Sequence, residues 1–175
     1  TYAFLAFAFL SITTAFAQDD APTEEKSNIQ NYTPSKLLEK GKLDIKWFNN
    51  LYTETENEFD GKKSSFPRQN FFNTSLEVFT GVSNNKKINA GFIVELRSNT
   101  IGGQQALSVL NFDNETGKSR SGISHIAPSV KIAPFNQLSR FSIQSSFFIP
   151  VFKKESLNGV FLSQKSFIWQ NRFFS

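Results

Sequence analysis

From Leu43 onward apolar and polar side chains alternate with a period of two, the spacing that gives an extended strand two chemically different faces. In the first segment Leu43, Ile45, Trp47 and Leu51 share an apolar face. Asp44, Lys46, Asn50 and Glu54 take the other, with Phe48 and Tyr52 as aromatic exceptions. A second segment sets Phe72, Thr74, Leu76 and Val78 against Asn73, Ser75 and Glu77. A third sets Ile88, Ala90, Phe92, Val94 and Leu96 against Asn89, Gly91, Glu95 and Arg97, with Ile93 out of pattern. Ile126, Val130 and Ile132 oppose Ala127, Ser129 and Lys131 in a fourth, and Phe141, Ile143, Phe147, Ile149 and Val151 oppose Ser142, Gln144 and Ser146 in a fifth. In the sixth, 162–174, Phe167 and Trp169 share one face and Gln170 and Arg172 the other. Segments of roughly ten residues match the length that crosses a bilayer as a tilted strand, and exceed the usual five or six of a soluble sheet.

The links between segments alternate in length. Short ones, 83–87 and 135–140, follow the second and fourth segments. Long ones, 56–67, 99–124 and a last link containing 153–159, follow the first, third and fifth. A barrel that starts in the periplasm has short inner turns and long outer loops in this order. The expected fold is therefore all-β: an antiparallel up-and-down transmembrane β-barrel. These residues would supply about six of its strands, a fragment of the eight or more that a single-chain barrel needs.

The residues before the alternation divide in two. Residues 1–17 carry no charge, run apolar from Tyr2 to Leu10 and close on Ala15-Phe16-Ala17, the form of a signal peptide cleaved before Gln18. This leader begins at Thr1 without Met or a basic start, so it is expected to be truncated. Residues 18–42 are polar and read as a periplasmic arm, in which Thr33-Pro34 could open a short helix over 33–39. Residues 43–175 are assigned to the partial barrel.

Composition narrows the function classes. Mean hydropathy is −0.31, and the only long apolar run is the leader, which excludes a bundle of membrane helices. With 21 Phe and no Cys, the chain has neither a disulfide framework nor a thiolate site. The charge of +4 is scattered, unlike the clustered basic face of a nucleic-acid binder.

Three stretches carry a family likeness: Ala15-Phe16-Ala17-Gln18, Gly41-Lys42-Leu43-Asp44-Ile45-Lys46-Trp47-Phe48-Asn49-Asn50-Leu51-Tyr52-Thr53, and Ile126-Ala127-Pro128-Ser129-Val130-Lys131. With the strands between them, the chain resembles the uncharacterised, transporter-like outer-membrane β-barrel proteins of flavobacteria and other Bacteroidetes. The resemblance implies a place in the outer membrane of a Gram-negative bacterium. It brings no ligand and no catalytic residue.

If the apolar faces meet lipid, Asp44, Lys46, Glu54, Glu77, Glu95, Arg97, Lys131 and Arg172 face the lumen. They would either line a polar conduit or form a salt-bridged plug. Trp47, Tyr52, Phe72, Phe141 and Trp169 are candidates for the aromatic girdles at headgroup level. Ser124-His125 hints at a hydrolase, but neighbours on a strand point to opposite faces and make no dyad. Asp113-Asn114-Glu115 with Glu56, Glu58 and Asp60 lacks the ordered spacing of a calcium loop. The expectation is a barrel without enzymatic activity, cofactor or metal, whose partners are outer-membrane lipid and an unknown small solute. It would act as a passive pore or transporter-like protein. Alternatives are a structural or docking barrel with a blocked interior, and a soluble periplasmic β-sheet carrier.

Overall fold

Six strands lie side by side in chain order, each antiparallel to its neighbour: β1 (Leu43–Phe59), β2 (Lys62–Gly81), β3 (Ile88–Thr100), β4 (Ser119–Ile132), β5 (Ser142–Pro150) and, after a separate hairpin, β8 (Ile168–Phe174). The hairpin pairs β6 (Ser156–Leu157) with β7 (Val160–Phe161). This computed structural model describes residues 36–112, 117–135 and 141–175, all within one compact unit, Thr33–Ser175. The expected signal peptide and most of the arm lie outside the described residues.

Register follows the alternation. Lys46 sits opposite Glu77, Glu77 opposite Ile93, and Ile93 opposite Ala127. Gln144 sits opposite Arg172. Because facing residues share a side of the sheet, the polar halves of all six segments fall on one face and the apolar halves on the other. The sheet curls toward its polar face into a half-barrel. Arg172 Nη1 on β8 lies 2.7 Å from Glu77 Oε1 on β2, although β3, β4 and β5 separate the two strands. In a flat sheet those strands would stand about 19 Å apart, at about 4.8 Å per step.

The convex face carries an exposed apolar belt. On β3 it runs from Ile88 to Leu96, about 27 Å of strand at about 3.4 Å per residue. Trp47 and Trp169 are both 71% exposed on it. Each indole N–H is satisfied within the face: Trp47 donates to Thr74 Oγ1 at 2.5 Å and Trp169 to Ser145 Oγ at 2.8 Å. The rings therefore present apolar surface with no unpaired donor. Phe147 stacks on Phe167 at 5.7 Å, and Phe141 on Phe173 at 6.5 Å, along the same face.

Four expectations are corrected. The link 56–67 is mostly strand: β1 and β2 run on to a two-residue turn, Asp60-Gly61, with φ of 50° and 70°. Asp-Gly suits this turn type because both residues take positive φ. Pro67, which cannot join a regular ladder, falls where the register shifts between Glu54 and Glu56. The link 99–124 shrinks to 101–118, since β4 begins at Ser119. The sixth strand begins at Ile168 instead of Leu162, because the backbone before it is engaged elsewhere. Leu162 N–H donates to the Glu155 carbonyl at 2.8 Å, and Lys165 N–H to the Glu155 carboxylate at 2.5 Å.

The fourth concerns the arm. Its described residues, 36–42, form no helix. Lys40 bridges Gly81, and Leu38 N–H donates to Asn89 Oδ1 at 3.1 Å. These sheet partners take the backbone groups that a marginal one-turn helix would have satisfied. A Cβ on Gly81 would stand 2.1 Å from the Glu39 carbonyl oxygen, so glycine is what lets the arm cross there.

Candidate functional site

The concave face gathers the chain's chemistry. All eight predicted lumen residues lie on it by register: Asp44, Lys46 and Glu54 on β1, Glu77 on β2, Glu95 and Arg97 on β3, Lys131 on β4 and Arg172 on β8. Toward the end of the 82–87 turn, Lys46 pairs with Asp44 on its own strand, while Arg172 reaches across the curl to the buried Glu77. Lys131 Nζ sits 4.5 Å over the Phe174 ring. Cation and carboxylate neutralise each other locally, as desolvated charges must.

Beside Glu77 in the register, Ile93, Ala127 and Phe148 form a small buried apolar cluster. Ile93, the residue out of pattern in its segment, thus turns an apolar side chain to the concave side, where it is buried. The next layer is polar again. His125 Nδ1 stands 3.4 Å from Glu95 Oε2, and Arg97 Nη2 3.9 Å from the same oxygen. The His125 ring is buried, edge-on to Phe148 and Phe152 at 6.3 and 6.0 Å. Both its nitrogens, with Asn73 Oδ1 and Arg97 Nε, have no hydrogen-bond partner among the described residues. Donor and acceptor atoms of this kind are available to a polar molecule entering the layer.

Of the girdle candidates, Trp47, Phe72 and Trp169 lie on the convex face by register, and Phe141 joins it by stacking on Phe173. Tyr52 does not. It faces Phe71 across β1 and β2 on the concave side, and the rings stack at 6.1 Å, because its even position gives it the parity of Asp44 and Lys46. Of the oxygen-rich loop residues, Glu56, Glu58 and Asp60 sit at the tip of the β1–β2 arm, while Asp113, Asn114 and Glu115 lie outside the described residues. Ser124 is the extra residue where the β3–β4 register shifts, and its hydroxyl donates to the Glu95 carbonyl at 3.3 Å.

At the loop end each face acquires a cover. On the convex side the 3-10 turn Ala106–Asn111 packs over β2 and β3 and is held by polar groups. Ser98 Oγ donates to the Val109 carbonyl at 2.6 Å, and Asn70 Nδ2 to the carbonyls of Gln104 and Gln105 at 3.2 and 3.1 Å. On the concave side the β6–β7 hairpin folds inward against Asn99 and Arg120.

No protein-family model matches the chain, and no curated protein or solved structure matches it.

Asn99, Arg120 and His125 escaped the sequence reading as part of this face. His125 fell outside the alternation recognised in its segment. Arg120 was hidden by the register shift: counting back by twos from Lys131 through His125 puts it on the convex side, whereas the extra residue at Ser124 turns Gly122 and Arg120 inward. The hairpin did have a signal. Asn158-Gly159, at φ 52° and 79°, is the dipeptide that a two-residue hairpin turn demands, between Ser156-Leu157 and Val160-Phe161.

Proposed function

We propose that this chain forms the wall of an outer-membrane β-barrel whose interior is filled, serving as a structural or docking barrel. The observation that carries the reading is the inverted polarity of the sheet: its convex face is an exposed apolar belt, and its concave face holds paired charges and buried polar groups. In water such a belt is normally covered by a second layer, whereas acyl chains solvate it directly. Two further observations favour a filled interior over an open conduit. Arg172 and Glu77 span the concavity side chain to side chain, and Ile93, Ala127 and Phe148 close the layer beside them. In hydrocarbon the edge strands β1 and β8 need pairing partners, since each unpaired backbone group there costs several kcal/mol.

A passive pore for a small polar solute is the second reading. The unpartnered polar atoms of Asn73, Arg97 and His125 favour it.

The chain's two Trp residues, both on the convex face, test the membrane reading. In proteoliposomes, lipids brominated on their acyl chains are expected to quench the Trp fluorescence strongly, and aqueous iodide weakly. Quenching by iodide with no effect of bromolipid would instead support a soluble carrier.

A further inference from the structure

We infer that the segment 151–167 is a releasable plug, which closes the concave face at the loop end and is latched to the wall by Arg120 and Asn99. That it closes a barrel interior rests on the membrane reading above; that it is latched does not. The wall at this level is furnished to receive it. Arg120 and Asn99 face each other across β4 and β3 and point to the concave side. The Arg120 guanidinium donates to the Lys154 carbonyl before the hairpin and to the Val160 carbonyl within it, the latter at 3.5 Å. Asn99 Nδ2 donates to the carbonyls of Phe161 and Leu162 at 2.6 and 3.3 Å. Two side chains thus satisfy four backbone acceptors of the segment.

Between these latches the hairpin presses Val160 and Leu162 inward, and both are buried. Gly122, on the wall beneath, leaves the room: a Cβ there would just touch Leu162. The other side of the hairpin faces out, with Leu157 45% exposed. The hairpin itself is held to the wall by side chains, because β6 and β7 pair with each other and with no described strand of the main sheet. The segment's backbone bond to the wall, Val151 N–H to the Ser124 carbonyl at 3.0 Å, lies at its start, where it leaves β5. Latches of this kind open without unravelling the sheet, which places the segment at the low-stability end of the fold. Beneath it lies the polar layer of Asn73, Glu95, Arg97 and His125, so opening the latch exposes that layer to the loop side.

The chain has no Cys, so single thiols report on the latch in the full-length protein. Val160→Cys sits on the plug's inner side, Leu157→Cys on its outer side, and Ala127→Cys in the buried wall away from it. With a maleimide reagent, Val160→Cys is expected to react at least about ten-fold more slowly than Leu157→Cys, because reaction awaits local opening. Adding Arg120→Ala, or Asn99→Ala as a second route, should bring Val160→Cys close to the Leu157→Cys rate and leave Ala127→Cys slow. A fourth reporter, Asn73→Cys, should react faster once the latch is cut. Equal rates at positions 160 and 157 in the uncut protein would overturn the plug. Acceleration of Ala127→Cys alongside Val160→Cys would show that Arg120 supports the sheet as a whole and would overturn the latch. An unchanged Asn73→Cys would show that the segment closes nothing. None of these rates depends on lipid, so the Trp quenching experiment fails or succeeds independently.

Discussion

Glu77 is buried and Arg172 is its partner from four strands away, so the pair ties the curl of the sheet to two side chains. Arg172→Ala leaves a carboxylate in the interior without its cation, which costs about 1–3 kcal/mol. Chemical denaturation should show this loss, and a double-mutant cycle with Glu77→Gln should recover part of it. Glu39 behaves differently, because its pair with Lys86 at 2.6 Å is exposed. The hydrogen bond from Lys86, and then its charge, hold the Glu39 carboxyl below the ordinary glutamate range. A depressed folded pKa means the contribution is present above the unfolded pKa and lost as pH falls through the folded one. NMR titration should find the Glu39 midpoint below that of a free glutamate, and Lys86→Met should raise it. Gly91 gives a third residue-scale outcome. A Cβ there would stand 2.2 Å from the Val78 carbonyl oxygen and 2.7 Å from the Phe79 ring, so Gly91→Ala should destabilise by about 1–3 kcal/mol through overpacking.

Among the elements, the two-residue turns were the most legible feature that the alternation alone passed over. Asp60-Gly61 and Asn158-Gly159 both take positive φ at both positions, and both dipeptides announce a hairpin from sequence. Counting polar residues treated them as loops, since a turn and its flanking strand ends are equally rich in Asn, Asp, Glu and Lys. Gly159→Ala forces a Cβ into the left-handed region at about 1 kcal/mol. It should therefore speed maleimide reaction at Val160→Cys while leaving the circular dichroism of the sheet unchanged. The arm was misjudged for the opposite reason. Thr33-Pro34 carries a local helix-start signal, yet residues 36–42 answer to Asn89 and Gly81, which lie far along the chain and supply hydrogen bonds that a lone turn cannot match.

On the scale of the whole molecule, one substitution separates lipid from water as the solvent of the convex face. Phe92 lies in the middle of the apolar belt. Against hydrocarbon, Phe92→Arg should cost about 2–4 kcal/mol. On a sheet exposed to water the same change should fall within about 0.5 kcal/mol. Unfolding from lipid vesicles, compared with unfolding in buffer, reads the difference.

The alternation of side chains sufficed to place the predicted lumen residues on one face and most of the girdle residues on the other, because in an extended strand facing is a local property of odd and even positions. It also gave the antiparallel pairing of the second with the third segment and of the fourth with the fifth, because the two short links leave little room for another path. Three things belonged to the tertiary structure alone. The extra residue at Ser124 changed the parity of everything before it on β4, and a register shift is visible only against the partner strand. The curl brought Arg172 to Glu77 over a separation that no pattern within a strand encodes. The inward fold of 151–167 depended on Arg120 and Asn99 meeting backbone carbonyls from another part of the chain. Local periodicity decides which way a side chain points; what it meets there depends on how the sheet bends.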